Sequence, residues 1–330
     1  MKKIELITTD ELEARFKECL EQRRMPDYFL YLGDAGVKSW LNLNSSQGFP
    51  VSTRLTDLLR QSIPSLIDFF PEGLSLVSIG VGGGDKDRML LEALQQRGVS
   101  RYYAVDISSR MIDAALKTVA DVKVEKTGLV AFLEDLPLVR QYWSPPALVC
   151  LLGNTFCNFD PDFVLAIISG QLESDDLLLL DCHLFPEQEN FEGSGQEQVD
   201  RVYRSEPNMR FNINPLVQRG FDTDNCVFLL ELRSVETDIG TVYRTNKQLQ
   251  ILKNAAISFG KDKITLTSGD TIQLGFTYKY SRSQVEGYMQ RNGFEQLRQF
   301  QSIDGENLLL LARKRPGEKN EPSEREYETG

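Results

Sequence analysis

The feature that most constrains the fold is Leu74-Ser75-Leu76-Val77-Ser78-Ile79-Gly80-Val81-Gly82-Gly83-Gly84-Asp85-Lys86-Asp87-Arg88, an apolar run that breaks into glycines and reopens as a helix-like segment. It reads as a strand, a turn of bare backbone and a helix N-terminus. Such a turn lets a nucleotide-like ligand approach the main chain without meeting a Cβ, while the first helical N–H groups and the helix dipole receive an anionic group. The next apolar strand, Arg101-Tyr102-Tyr103-Ala104-Val105-Asp106, ends in a carboxylate about 20 residues beyond the glycines. An acid there can accept both ribose hydroxyls, or it can cap the following helix.

Folds that bind nicotinamide dinucleotides and folds that bind S-adenosylmethionine share this order of elements, so the glycine spacing separates them. Gly80-x-Gly82-x-Gly84 fits the methyltransferase form, whereas the dinucleotide form needs a third glycine at 85 or 87, and both are Asp. The acid often found two residues ahead of the first glycine in methyltransferases is replaced here by Ser78.

A net charge of −11 and the lack of a basic stripe argue against a phosphate-backbone partner, so no nucleic acid is expected as substrate. The five cysteines, Cys19, Cys150, Cys157, Cys182 and Cys226, are odd in number with no C-x-x-C pair, and read as reduced, mostly buried thiols. The single histidine, His183, excludes a histidine-rich metal site, and no metal is expected; an all-carboxylate site stays open at this level. Met1-Lys2-Lys3-Ile4-Glu5 turns acidic at once and no run approaches the length of a membrane span, so the expected location is the cytoplasm, with no membrane partner. The oligomeric state is not readable from the sequence.

The pattern divides the chain into a helix-prone region over 1–70, an alternation of strands and helices over 71–185, an insertion over 186–280, a return of the first domain over 281–315, and a tail over 316–330 too polar to fold. Strands are expected near 75–80, 101–106, 122–126, 147–153 and 177–183, spaced as a parallel sheet. The insertion opens on an acidic, glycine-containing stretch, Glu187 to Gly195, followed by strands. Ile264 to Leu274 is expected to form a hairpin with its turn at Ser268-Gly269-Asp270. Val285, Tyr288 and Met289 mark a helix that stops at Asn292-Gly293, and two further strands follow. The expectation is therefore an α/β class I methyltransferase domain, a Rossmann-like seven-stranded sheet with a reversed final hairpin, an inserted α+β subdomain and a helical N-terminal region.

The residues Tyr31-Leu32-Gly33-Asp34-Ala35-Gly36, the Gly80 turn with Lys86, Val105-Asp106, Leu152-Gly153-Asn154-Thr155-Phe156-Cys157-Asn158-Phe159-Asp160-Pro161 and Phe211-Asn212-Ile213-Asn214 together resemble the histidine-specific N-methyltransferase family of ergothioneine biosynthesis. The resemblance covers about residues 25–313, and the G-N-T-x-x-N-F-D-P segment is its most specific element. It implies S-adenosylmethionine as cofactor, with Gly80 and Lys86 against its methionine portion, Asp106 at the ribose and Gly82 also among the cofactor-binding residues. A lysine in the first helical turn beside free N–H groups makes a carboxylate site, and is otherwise a solvated helix lysine. The resemblance further implies that Asn158 contacts the acceptor's amino-acid end, that Tyr203 recognises its carboxylate and that Tyr31 lines the same pocket. Asn158 is otherwise a helix N-cap, and the tyrosines ordinary packing.

Aligning Lys279-Tyr280 with the family's Lys-Phe puts Gly275 and Thr277 where the histidine enzymes use a glutamate and a serine. The threonine keeps a hydroxyl and the glycine removes a carboxylate, so the sequence predicts that free histidine is a poor acceptor. The family's Gly-Asp-Phe at the adenine aligns with Thr127-Gly128-Leu129. The reading is a methyltransferase for a small amine or amino acid other than histidine, with His183 and Tyr31 as candidate proton acceptors. His183 is otherwise a hydrogen-bonded structural residue. Two further readings stand beside it. One is a protein that kept the fold and lost transfer activity, since Ser78, Gly128 and Gly275 replace acids. The other is a nicotinamide oxidoreductase, weakened by the missing third glycine.

Overall fold

The computed structural model describes residues 1–45, 50–185 and 191–316. The chain opens with strand β1 (Lys2–Glu5), helix α1 (Thr9–Glu21), strand β2 (Arg24–Met25), and helices α2 (Gly33–Asn44) and α3 (Pro50–Leu66). The alternation follows as β3 (Ser75–Ile79), α4 (Asp85–Leu94), β4 (Arg101–Asp106), α5 (Ser109–Thr118), β5 (Glu125–Val130), α6 (Leu136–Val139), β6 (Ala147–Leu151), α7 (Pro161–Gln171) and β7 (Leu177–His183). Helices α8 (Phe191–Tyr203) and α9 (Glu206–Val217) lead into β8 (Cys226–Thr237), β9 (Gly240–Ile251), β10 (Ala255–Phe259), β11 (Asp262–Leu266) and β12 (Thr271–Lys279). The chain closes with α10 (Arg282–Arg291), β13 (Phe294–Gln301) and β14 (Asn307–Lys314). The polar tail over 317–330, and residues 187–190 of the acidic stretch, lie outside the described residues.

The main sheet has the order β1-β5-β4-β3-β6-β7-β14-β13, with β14 antiparallel to both β7 and β13 and every other pair parallel. All seven expected strands are present, and β1 adds an eighth at the edge, paired with β5 from Lys2↔Thr127 to Glu5↔Val130. Four residues of mixed polarity carry too short a period to be recognised as a strand; the exposed edge of β5 gives them their partner. Successive residues of the sheet feed opposite faces. Leu76, Tyr102, Ala104 and Leu179 pack under α4 and α5 with Leu90, Leu94 and Ile112, while Val77, Val105, Leu178 and Leu180 pack with Val164, Ile168 and Val285 of α7 and α10. Burial on both faces accounts for the unbroken apolar runs of these strands.

The order reverses at β3. From there the chain winds outward to β4 and β5, then crosses back to β6 and β7. In open α/β sheets, the crevice beyond the carboxyl ends at such a switch point is where ligands bind.

Between Leu184 and Tyr280 the chain leaves and rejoins the sheet side by side, bridged by Phe185 N–H to the Tyr280 carbonyl at 2.8 Å. The intervening sheet has the order β2-β12-β9-β8, so the N-terminal region contributes a strand to it, Arg24 and Met25 pairing with Gln273 and Leu274. Phe16, Leu20, Met25 and Phe29 share one apolar core with Phe211, Phe228, Leu249 and Leu274. The N-terminal region and the insertion therefore pack as one layer over the switch point.

Two expectations need correction. The fifth strand begins at Glu125 and not at Val122, because Val122 and Val124 are used in a turn after α5, with Val122 N–H bonded to the Val119 carbonyl at 3.1 Å. The segment from Ile264 to Leu274 is not a hairpin: β11 pairs with β10 and β12 pairs with β9. Its turn is real, with Gly269 at φ +95°, but the turn's backbone docks on Ile251, which accepts from Gly269 N–H and donates to the Asp270 carbonyl, both at 2.8 Å. The two flanking strands consequently diverge.

Gly128 lies inside β5, where an added Cβ would stand 2.4 Å from Ile112 Cγ2 of α5. Gly128→Ala is expected to destabilise the fold by about 1–3 kcal/mol through overpacking, measured as a lower urea midpoint. An unchanged midpoint would mean that α5 moves freely away from the sheet.

Candidate active site

A cavity of about 250 Å³ sits at the switch point, beyond the carboxyl ends of β3, β4, β5 and β6 and beneath the N-terminal and inserted layer. One end is built by the turn from β3 into α4. Gly80, Gly82 and Gly84 all take left-handed φ values, +71°, +53° and +81°. A Cβ on Gly84 would lie 2.9 Å from the Ala115 backbone and one on Gly80 3.2 Å from Thr155 Cγ2. The turn is thus closed to side chains by conformation and by space.

Asp106 ends β4 on the wall of this cavity. Its carboxylate accepts the Ser108 N–H at 2.9 Å, but the N-cap of α5 is Ser108, whose hydroxyl accepts from Met111 N–H at 3.2 Å. The capping role is therefore filled elsewhere. Burial raises the Asp106 carboxyl to about 6, against the lowering effect of N–H groups of Ser108 and Val81. Ile107, Met111, Ala131, Phe132 and Leu133 form an apolar slot beside it. The segment aligned with the adenine position, Thr127-Gly128-Leu129, lies within β5, so the residues that follow the strand and line the cavity are Ala131 to Glu134.

Lys86, in the first turn of α4, reaches the cavity wall and donates to Asp181 Oδ2 at 3.1 Å. Asp181 Oδ1 accepts the Asn154 N–H at 2.7 Å, so one buried carboxylate ties the Gly80 turn to the turn after β6. Ser78 is not a bare loss of an acid. Its hydroxyl donates to Asp87 Oδ1 at 2.8 Å and the Tyr102 hydroxyl donates to Oδ2 at 2.5 Å, placing a carboxylate of α4 at the wall beside it. Burial raises Asp87 to about 6.

Among the described residues, Trp40 Nε1, Asn44 Oδ1 and Asn212 Oδ1 are buried on this wall without a hydrogen-bond partner. Buried polar atoms of this kind are costly unless a ligand or water meets them. Bare glycine backbone, an acid at the end of β4, an apolar slot and a lysine at a helix N-terminus fit S-adenosylmethionine group by group.

The same cavity wall also carries Asn158, Thr277, Tyr203 and Tyr31. Thr277 Oγ1 donates to Asn158 Oδ1 at 3.2 Å. Asn158 closes a 3₁₀ turn, and the helix N-cap is Asp160, which accepts from Phe163 N–H at 3.0 Å. Tyr203 ends α8, and its hydroxyl accepts from Lys279 Nζ, whose ammonium burial lowers to about 8. Tyr31 packs edge-on against Trp40 and Phe211 at 5.5 and 5.4 Å between ring centroids.

Gly275 does not line the cavity. It sits at a bulge in β12, and the space of its missing side chain is taken by Asp27: a Cβ there would stand 2.0 Å from Asp27 Oδ1. The expectation that no carboxylate remains at this place is corrected, because Asp27 reaches it from the residue pair after β2. Both its oxygens accept from Lys247 Nζ at 2.6 Å, and both residues line the cavity. Neither was marked by a sequence signal. A carboxylate after a proline reads as a turn, and Arg244-Thr245-Asn246-Lys247 reads as a solvated strand, although the last three are buried.

Neither candidate proton acceptor fits that part. His183 lies outside the cavity lining, in β7, with its backbone N–H on Asn154 Oδ1 at 2.8 Å. Burial, followed by the positive charge of Lys279, lowers its imidazole to about 3. Tyr31 is on the wall, but burial drives its phenol far above the ordinary value, which suits a hydroxyl donor and not a base.

A family described as histidine-specific methyltransferase, SAM-dependent, matches residues 12–314. "Ergothioneine biosynthesis protein 1" of Neurospora crassa is 23% identical over 175 residues, which are 51% of this chain and 20% of that protein. The chain thus spans about a fifth of the length of that curated relative. Among solved structures, an S-adenosylmethionine-dependent methyltransferase from Clostridium acetobutylicum aligns at 11% identity and TM-score 0.43, over 80% of this chain and 92% of the other. CalS10, an amino pentose methyltransferase from Micromonospora echinaspora with SAM bound, aligns at 13% identity and TM-score 0.39, over 79% and 92%. Among the described residues no helix is long and apolar enough to cross a membrane.

His183 generates a pH prediction. Its folded value of about 3 lies below the unfolded value of about 6.5, so the unfolded chain binds the extra proton, and the contribution present above pH 6.5 is lost as pH falls. Asp87 and Asp106, raised to about 6, act with the opposite sign below that pH. The comparison of wild type with His183→Asn isolates the histidine. Wild-type stability is expected to fall relative to the variant by about 1.4 kcal/mol per pH unit between pH 6.5 and 4.5, read from urea midpoints; a constant difference would place the imidazole in water.

Proposed function

The chain belongs to the histidine-specific, SAM-dependent methyltransferase family, and from that premise we propose that it transfers a methyl group from S-adenosylmethionine to the nitrogen of a small amine or amino acid. The observation that carries the reading is that the Gly80 turn and Asp106 line the same cavity as Asn158, Thr277 and Tyr203.

In this reading the Gly80–Gly84 backbone and Asp106 hold the nucleoside, Phe132 and its apolar neighbours cover the adenine, and Lys86 meets the methionine carboxylate while Asp181 keeps it in place. When bound, S-adenosylmethionine supplies an electrophilic methyl carbon on its sulfonium. The protein's part is alignment and exclusion of water, since an in-line displacement needs little more. Asn158, fixed by Thr277, offers an amide that donates and accepts, which suits the acceptor's amino end. Tyr203, fixed by Lys279, presents its hydroxyl O–H to an acceptor carboxylate. Trp40, Tyr31 and Phe211 form an aromatic wall that keeps the cavity dry.

The acceptor nitrogen must be neutral to attack. With His183 outside the cavity and Tyr31 held as a phenol, the amine releases its proton to solvent before it enters. For an amine whose pKa lies two units above ambient pH this costs about 2.7 kcal/mol, which alignment can offset.

Two of the three acids missing from the sequence are replaced in space, which supports retained activity. Asp87 stands beside Ser78, and Asp27 occupies the place of a side chain at 275, whereas Gly128 packs against α5 away from the cavity lining. The sequence ground for rejecting histidine, a missing carboxylate, falls with the second of these replacements.

Incubation with labelled S-adenosylmethionine and a library of amines and amino acids, histidine included, is expected to give a methylated product by mass spectrometry. Asp106→Ala is expected to weaken S-adenosylhomocysteine binding by about 2–3 kcal/mol in calorimetry, the size of hydrogen bonds to a charged group. Tight cofactor binding with no methylated product from any acceptor would favour a ligand-binding protein that has lost transfer.

A further inference from the structure

Asp27 and Lys247 form a buried charge pair on the cavity wall, the whole residues 7% and 6% exposed, drawn from two distant parts of the chain. The pairing of β2 with β12 delivers Asp27 to the bulge at Gly275, and Lys247 comes from β9 across the same sheet. The coincidence in space is close: the Asp27 carboxyl carbon lies 2.2 Å from where a Cβ of residue 275 would be. Any side chain at 275 and the present Asp27 exclude one another.

We propose that this pair is the specificity determinant for the distal group of the acceptor, and that it selects acceptors whose distal group is uncharged and both donates and accepts hydrogen bonds. The inference rests on the methyl-transfer reading above. An ammonium has three N–H groups and a carboxylate about four acceptor positions, so the contacts between Lys247 and Asp27 leave donor and acceptor capacity on the wall. A neutral polar group, such as a carboxamide or a hydroxyl, uses both without disturbing the pair. A cation competes with Lys247 for Asp27 and leaves a buried ammonium short of counter-charge; a carboxylate does the same to Asp27. An apolar group leaves the remaining capacity unmet.

The test uses the full chain with L-glutamine, L-lysine, L-glutamate and L-leucine, read as kcat/KM by mass spectrometry and as the thermal shift each produces with S-adenosylhomocysteine present. Wild type is expected to prefer glutamine. Lys247→Met is expected to raise lysine relative to glutamine at least tenfold, and Asp27→Asn to raise glutamate relative to glutamine to a similar extent. Should either variant fail to fold, Asp27→Gly combined with Gly275→Glu returns the carboxylate to the strand, and it is expected to keep the wild-type order where Gly275→Glu alone loses acceptor binding by clash. Variants that bind S-adenosylhomocysteine and keep the wild-type order would overturn the inference, as would a relocated carboxylate that loses that order. If wild type neither methylates nor is stabilised by any of the four while the amine library yields a methylated product, the inference fails and the acceptor reading stands; if the library also yields none, the acceptor reading itself fails and takes the inference with it.

Discussion

The structure depends on one close approach. β3 must pass into α4 while α5 lies against the turn, and at Gly84 the Ala115 backbone leaves no room for a Cβ. A side chain there would push α5 off the sheet, with Ile112 and Leu116 behind it, and Gly128 on β5 would lose its partner surface. The same constraint that packs the helix strips the turn of side chains, so packing and ligand access have a common origin. The reversal of strand order at β3 then places this bare backbone at the mouth of a crevice.

Over that crevice lies a layer built from two separated segments. The N-terminal helices and the insertion between β7 and α10 share one apolar core, and β2 completes the insertion's sheet. Neither segment closes the cavity alone: Tyr31 and Trp40 come from the first, Tyr203, Phe211 and Thr277 from the second.

The main sheet was legible because its strands are buried on both faces and bounded by glycines, as at Ile79-Gly80, and because α10 ends at Asn292-Gly293. β1 and β2 were not legible, since four and two residues carry no period and owe their strand conformation to partners far away in sequence. The hairpin expected at Ser268-Gly269-Asp270 failed for a related reason: local turn chemistry fixes a reversal, but not which strands pair across it. In the site, the glycine turn, Asp106, Lys86, Asn158 and Tyr203 were legible through motif and resemblance, and the structure brings all of them to one cavity. His183 was misplaced because the end of a strand does not say which way a side chain faces. Position-by-position comparison also registered Ser78 and Gly275 as losses, whereas charge at a site belongs to a place in space. Asp87 and Asp27 supply carboxylates at those places from other elements.

The central claim is that one cavity joins a cofactor end at the Gly80 turn to an acceptor end at Asn158 and Thr277. A crystal structure of the chain with S-adenosylhomocysteine tests it most directly. The account predicts the adenosyl group between Asp106 and Phe132, with the sulfur directed toward Asn158. Binding elsewhere, or a sulfur pointing away from Asn158 and Thr277, would contradict it.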